Sequence, residues 1–422
     1  MEKLKEIVSR FAIRGAAGCV EPFGSGLIND TYRVVNQHVG EPDYVLQRIN
    51  HAIFRDVGLM QRNIVRITEH IRARLAERGE DDIERKALRV VPTLDGEAYL
   101  FDGQDYWRMT VLIPRARSYE RVTPELAYET GRAFGDFQGM LSDIGGGNGR
   151  SGFLLRDGVR SETNMTENES VGMGKGLDCF GPSPRNDGGA VDSEETENEA
   201  FEEVELGATI PDFHNMEYRL EQLREAIRAD RVGRVAEMQH VVDEVFARAD
   251  EMCAPQRMAR EGVLPRRISH CDTKVNNVLF DEDTGRVLCV IDLDTTMPGF
   301  VMSDFGDFVR TAANTGDEDD RDLSRVGLNM KIFREFARGY LETAGGFLTP
   351  VEVSLLPFGA RLLTYMQAVR FLTDYLDGDR YYKVSAPDHN RVRVLAQMAM
   401  LQSLEEHEVE MKKIISSFAP CL

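Results

Sequence analysis

Met60, Ile64, Ile67, Ile71 and Leu75 follow one another at steps of four, three, four and four, which places them on one stripe of a helix. A shorter amphipathic helix is expected over residues 4–14, with Leu4, Ile7, Phe11 and Ile13 as its apolar members. The remaining pattern of the first hundred residues has the period and punctuation of strands. Two short strands flank Gly24 and Gly26, a third covers Tyr44 to Ile49, and three more cover Lys86 to Val91, Glu97 to Phe101 and Tyr106 to Ile113. Asp95-Gly96 and Asp102-Gly103 supply the turns, and Pro114 ends the last strand. After Pro114 the period becomes helical. Thr123 followed by Pro124 starts a helix that runs to about Ser142 and packs Phe134, Phe137 and Leu141. Further helices are expected near 217–231, 234–252, 351–376 and 390–416, and Ile332, Phe333, Phe336 and Tyr340 share a helical face. The resulting architecture is α+β: a five-stranded antiparallel sheet with one packed helix, then a mainly helical part.

One stretch interrupts this order. From 145 to 205 the chain is rich in Gly, Ser, Asn and Glu and has neither period. Such a composition buries too little apolar surface to offset its conformational entropy, so a disordered insertion is expected. Its charge changes the picture of the whole chain. Between Arg160 and Leu206 there are thirteen acidic and three basic residues, half of the formal net charge of −20. That balance disfavours nucleic acid or an anionic membrane as partner, since both need basic patches. No apolar run approaches the length of a membrane span. The six cysteines lack the C-x-x-C spacing of a zinc site or a disulfide framework, and a soluble cytoplasmic protein is expected.

The candidate chemistry lies in a second, shorter apolar pattern. The run from Ile268 to Phe280 and the run from Val287 to Thr295 read as two buried strands joined by the turn Asp281 to Gly285. They carry His270, Asp272, Lys274, Asn277, Asp292 and Asp294, polar groups that are costly at buried strand ends unless they are paired or bind something. Asp272 and Asn277 lie five residues apart in one loop, and Asp292 returns from the next strand. Protein kinases use an Asp and an Asn at that offset, with a later Asp on the metal. Asp272 suits the acceptance of a proton from an acceptor hydroxyl, and Asn277 and Asp292 suit a hard divalent cation, Mg²⁺, on nucleotide phosphates. Lys274 is a candidate for stabilising the transferring phosphoryl group, or else a residue of the cleft rim. His270 is expected to fix the loop. Asp294 is either a second metal ligand or a structural acceptor.

The loop from His270 to Asn277 and the strand around Asp292 resemble the H-x-D-x-x-x-x-N and I-D signatures of the aminoglycoside phosphotransferase superfamily. Within it the match is closer to the N-acetylhexosamine kinases, from which Cys271 departs. The resemblance implies a protein-kinase-like two-lobed fold, with a nucleotide-binding lobe over 1–113, a catalytic and substrate-binding lobe over 114–422, and MgATP between them. It sets Gly24 and Gly26 at the phosphates and Ile113 at the hinge that meets adenine through main-chain groups. The nucleotide-binding Lys expected on the strand 44–49 is missing. Arg48 is the nearest cation there, Gln47 pointing to the opposite face, so Arg48 is assigned to the phosphates; an Arg on an exposed sheet face is the competing reading. Glu69 either pairs with Arg48 or faces solvent. The resemblance also maps Arg370 and Tyr381 onto sugar-contacting residues and extends to Thr209–Asn215, where Asp212 and His214 are read as anchoring a loop. It implies transfer of the ATP γ-phosphoryl group to the anomeric hydroxyl of an N-acetylhexosamine. A choline- or aminoglycoside-type kinase and a non-catalytic kinase-like scaffold are the alternatives.

Overall fold

A computed structural model describes residues 2–24, 28–144 and 206–419. Gly26 and the acidic segment 145–205 lie outside the described residues. The first part of the chain contains α1 (Glu2–Val8) and strands β1 (Ala17–Pro22), β2 (Asp30–Asn36), β3 (Tyr44–Ile49), β4 (Val90–Val91), β5 (Leu100–Phe101) and β6 (Tyr106–Val111). They form one antiparallel sheet in the order β1-β2-β3-β6-β4, with β5 also on β6, so six strands join the sheet rather than five. The expected strand 86–91 is only its last two residues, because Ile83–Lys86 forms the short helix α3. The first helix also stops early, at Val8. Phe11 bridges to Thr93 instead, which closes α1 down on the sheet.

Strand alternation divides the sheet's side chains between two covered faces. One carries Val34, Tyr44, Leu46, Trp107 and Met109, which pack on Ile7, Val8 and Phe11 in a small core of their own. The other carries the cross-strand set Thr31, Gln47 and Arg108. The helix α2 (Val57–Glu77) buries the predicted stripe, but in the larger core that it shares with the helical part. It therefore ties the sheet to the helices of the second part.

The second part begins with β7 (Ala116–Arg117) and α4 (Pro124–Met140). It continues with α5 (Met216–Ala229), α6 (Gln239–Met252), α7 (Ala254–Arg260), β8 (Arg267–Ser269), β9 (Val278–Asp281), β10 (Val287–Val290) and β11 (Met297–Gly299). It ends with α8 (Val301–Ala312), α9 (Met330–Ala344), α10 (Pro350–Leu376), α11 (His389–Glu406) and α12 (Glu408–Phe418). The expected last helix is two helices, broken at His407. The predicted hairpin is β9–β10, with Val290 opposite Val278, and β7 adds a third strand. Beneath it α8 and α10 cross closely: a Cβ on Gly306 would lie 2.1 Å from the Gly359 carbonyl oxygen, and one on Gly359 would lie 2.0 Å from that of Met302. Only glycine permits this approach. It seats α8, and with it Asp304 and Asp307, directly under the loop after β8. Among the described residues no helix is long and apolar enough to cross a membrane.

Candidate active site

The loop between β8 and β9 is held from below by two buried carboxylates of α8. Asp304 accepts the amides of His270 (2.7 Å) and Cys271 (2.8 Å), and Asp307 accepts the amide of Thr273 at 3.1 Å. Gln138 from α4 donates to Asp304 at 2.7 Å, and the Tyr340 hydroxyl donates to Gln138. His270 is fully buried, edge-on to Phe134 and Phe137. Its Nδ1 faces the Asp272 amide and its Nε2 the Ile291 carbonyl at 2.9 Å, which sets Nε2 as the protonated nitrogen and leaves no base function at either. Cys271 and Asp292 both take left-handed backbone, φ 64° and 61°, a conformation uncommon for residues other than glycine.

On this support the polar ends converge. The Asn277 side-chain amide donates to the Asp272 carbonyl (2.8 Å) and carboxylate (3.1 Å), and Lys274 Nζ lies 2.9 Å from the other carboxylate oxygen. Partial burial alone would lower the Lys274 pKa, but Asp272 and Asp307 hold it above its ordinary value. Asp292 opens into the same cleft. Loss of hydration between the cleft walls, with Asp294 and Asp272 near, pushes its carboxyl up to about 6. A bound divalent cation would reverse that pressure. The donor set suits such an ion: Asn277 commits its amide nitrogen to Asp272, which leaves its carbonyl oxygen, and Asp292 offers a carboxylate. Among the described residues no group of three or more His, Cys, Asp or Glu is placed to hold a metal ion by itself, so a cation here would take its remaining ligands from phosphate and water.

The cleft, about 2300 Å³, runs between the sheet and the helical part. On the sheet side it is lined by Gly24, Asn29, Gln47, Val45, Val90, Arg108 and Thr110, and across from them by Leu279, Ile291 and Asp294. Gly24 has φ 74° and open space where a Cβ would project, the geometry that lets main-chain amides meet an anion. Ile113 is buried at the back, and its amide and carbonyl make no hydrogen bond among the described residues. Asp294, open between two readings from sequence, is a buried acceptor: it takes Asn29 Nδ2 at 2.8 Å and pairs with Arg108.

At the far end lies a mixed aromatic and cationic wall. The Arg370 guanidinium stands 5.2 Å from the Phe213 ring and 5.7 Å from the Tyr382 ring, and donates to Gln367 at 3.2 Å. His214 stacks on Phe213, and burial, with Arg370 and Arg219 near, lowers its pKa to about 3, so it is neutral. Its buried Nδ1 has no partner among the described residues. Arg310 is matched by Asp307 and Glu318, whereas Arg370 has no ion-pair partner among them.

The model of the phosphotransferase enzyme family matches residues 20–342, most of the chain. This chain belongs to that family. Solved structures agree in fold. A spectinomycin phosphotransferase in complex with ADP and spectinomycin is similar over 96% of this chain and 98% of its own, with 10% identity and a TM-score of 0.51. An aminoglycoside phosphotransferase from Alicyclobacillus acidocaldarius is similar over 98% and 96%, with 12% identity and a TM-score of 0.50. A choline kinase from Cryptosporidium parvum is similar over 99% of both chains, with 10% identity and a TM-score of 0.50. The architecture is therefore protein-kinase-like and two-lobed, and the protein is a small-molecule kinase of this superfamily.

In this phosphotransferase, Asp272, Lys274, Asn277 and Asp292 meet at one cleft, with Gly24 and Ile113 on its walls. Arg48 also lines the cleft, but its guanidinium is taken up by carboxylates, in a salt bridge with Asp30 and 3.4 Å from Asp105, and it is Gln47 that shares a sheet face with Thr31 and Arg108. Glu69 is exposed and does not pair with it. Tyr381 is 63% exposed, on the rim, and its neighbour Tyr382 makes the wall with Arg370. Asp212 is a loop anchor that accepts Asn215 at 2.7 Å. Sequence reasoning missed Arg108, Asn29, Phe213 and Tyr382. One signal for Arg108 was available: a charged residue inside the apolar strand Tyr106 to Val111.

Proposed function

We propose that this kinase transfers the γ-phosphoryl group of MgATP to the anomeric hydroxyl of an N-acetylhexosamine, giving the sugar 1-phosphate and ADP. The observation that carries this reading is the placement of Asp272, bonded to Asn277 and Lys274, in one cleft with an aromatic wall that holds an unneutralised guanidinium. Adenine would lie between Val45, Val90, Leu279 and Ile291 and meet the main chain at Ile113, with its phosphates toward Gly24. Asn277 and Asp292 would hold Mg²⁺, which when bound neutralises phosphate charge. Asp272 orients the acceptor hydroxyl and takes its proton as the new O–P bond forms and the bond to the ADP oxygen breaks. Lys274 offsets the charge on the group in transfer. Sugar C–H faces would stack on Phe213 and Tyr382, and Arg370 would donate to ring substituents, with Tyr381 at the opening.

Arg310 matches the cleft carboxylates Asp307 and Glu318, whereas Arg370 has no ion-pair partner among the described residues, which favours a neutral sugar over a cationic acceptor such as choline or an aminoglycoside. The test is ATP consumption with N-acetylglucosamine, N-acetylgalactosamine, glucose, choline and kanamycin side by side, the product located by phosphorus NMR. Turnover on the acetylated sugars with phosphate on the anomeric oxygen is expected. Preference for choline or kanamycin would overturn the acceptor assignment, and no turnover of ATP on any acceptor would favour a scaffold.

A further inference from the structure

We propose that Arg108 is the cation that grips the nucleotide phosphates, supplied by β6 in place of the missing lysine of β3, with Asp294 as its anchor. This rests on the reading that the cleft binds ATP. The pleat of β3 divides its side chains between two faces. Gln47, which shares its face with Thr31 and Arg108, is uncharged, while Arg48 stands on the alternate face of the strand and, though it also lines the cleft, is taken up by Asp30 and Asp105. Arg108 stands directly opposite Gln47 in the register, so its guanidinium occupies the region that a longer cationic side chain at 47 would reach. Gln47 accepts from Arg108 Nε at 2.8 Å and donates to Thr31 at 3.1 Å, which fixes the guanidinium plane.

Asp294 does for Arg108 what a helix glutamate does for the lysine of a kinase: it orients the cation without consuming it. It pairs with Arg108 Nη1 through one oxygen and accepts Asn29 through the other, and Asn29 in turn accepts the Asn50 amide at 3.0 Å. One carboxylate thus joins β6, the segment just after Gly24, and the residue two past Asp292. The pair is buried, with Arg108 at 6% and Asp294 at 3% exposure. A buried ion pair is a poor source of stability compared with apolar packing, so its presence in an apolar strand points to use. A guanidinium has five N–H donors. Nε and Nη1 are engaged; Nη2 carries no hydrogen bond among the described residues, and Arg108 lines the same cleft as Gly24 and Asp292.

The test measures binding without turnover. Dissociation constants for ATP, ADP and adenosine, with Mg²⁺ present, are compared in the wild type, Arg108→Gln and Arg108→Lys, with melting temperatures recorded alongside. Arg108→Gln is expected to weaken ATP and ADP by at least tenfold and to leave adenosine within twofold; Arg108→Lys is expected to lie between. Should the Gln variant not fold, the Lys variant answers alone. Undiminished ATP affinity in a folded variant overturns the proposal, and so does an equal loss for adenosine, which marks a merely structural role. A wild type that binds no ATP would instead overturn the nucleotide reading itself.

Discussion

Asp272 is the residue whose removal separates chemistry from binding. Its carboxylate is oriented by Asn277 and Lys274, and neither its backbone nor its loop depends on it, because Asp304 and Asp307 hold the adjoining amides. Asp272→Asn is therefore expected to reduce kcat by about 10²–10⁴-fold, the range for loss of a general base, while the ATP dissociation constant stays within threefold. A variant with near wild-type kcat would remove the role assigned to it. Arg48 makes the opposite case. Its ion pair with Asp30 is about half exposed, so Arg48→Gln should leave the KM for ATP within twofold and cost less than about 1 kcal/mol in urea unfolding. A large rise in KM would return Arg48 to the phosphates. The spacing of Asp272 and Asn277 was legible because a loop motif is local. The pleat phase of 44–49 was not, because both faces of this sheet are covered: apolar residues on one and cleft residues on the other blur the alternation that would separate Gln47 from Arg48.

At the scale of elements, the catalytic loop owes its position to helices remote from it in sequence. Arg267 of β8 bonds Glu352 at 2.6 and 2.9 Å, and Glu352 also closes the capping box on Thr349 that starts α10. From that anchored start α10 meets α8 at the Gly306–Gly359 crossing. Gly306→Ala would force the two backbones apart and lift Asp304 and Asp307 away from the amides of His270, Cys271 and Thr273. The expected cost is about 1–3 kcal/mol, the range for overpacking, together with a fall in kcat larger than that in adenosine affinity. Thermal unfolding and a single-turnover assay check the two parts. Equal stability with wild-type kcat would show that the crossing has slack. Helix periodicity announced α10 but not its contact with α8, since a close crossing is written in two glycines that look like ordinary breaks in either helix alone.

For the whole molecule the question is whether the acidic segment belongs to the kinase. The residues that line the cleft lie in 23–122 or 210–397, and the family match, over residues 20–342, extends on both sides of the segment. The chain re-enters the described part at Leu206 and Gly207, where Asn63 of α2 donates to the Gly207 carbonyl at 2.8 Å and accepts its amide at 3.3 Å. A Cβ on Gly207 would lie 2.7 Å from a Leu59 methyl, so the return is fitted to α2 and leads from there to Phe213 at the acceptor wall. A deletion must therefore keep residues from 206 onward but is free to shorten what precedes them. Removing Gly149 to Glu199 takes away eleven acidic and five basic residues, 6 of the 20 net negative charges, and its composition offers little apolar surface whose burial the fold would lose. The shortened protein is expected to melt within about 3 °C of the wild type and to keep kcat and both KM values within threefold. Screening limits the reach of the removed charges to about 8 Å at physiological salt, so any effect on ATP affinity should fade as salt is raised. A shortened chain that folds poorly at every salt concentration would show instead that the segment supports the lobe whose returning chain sits on α2.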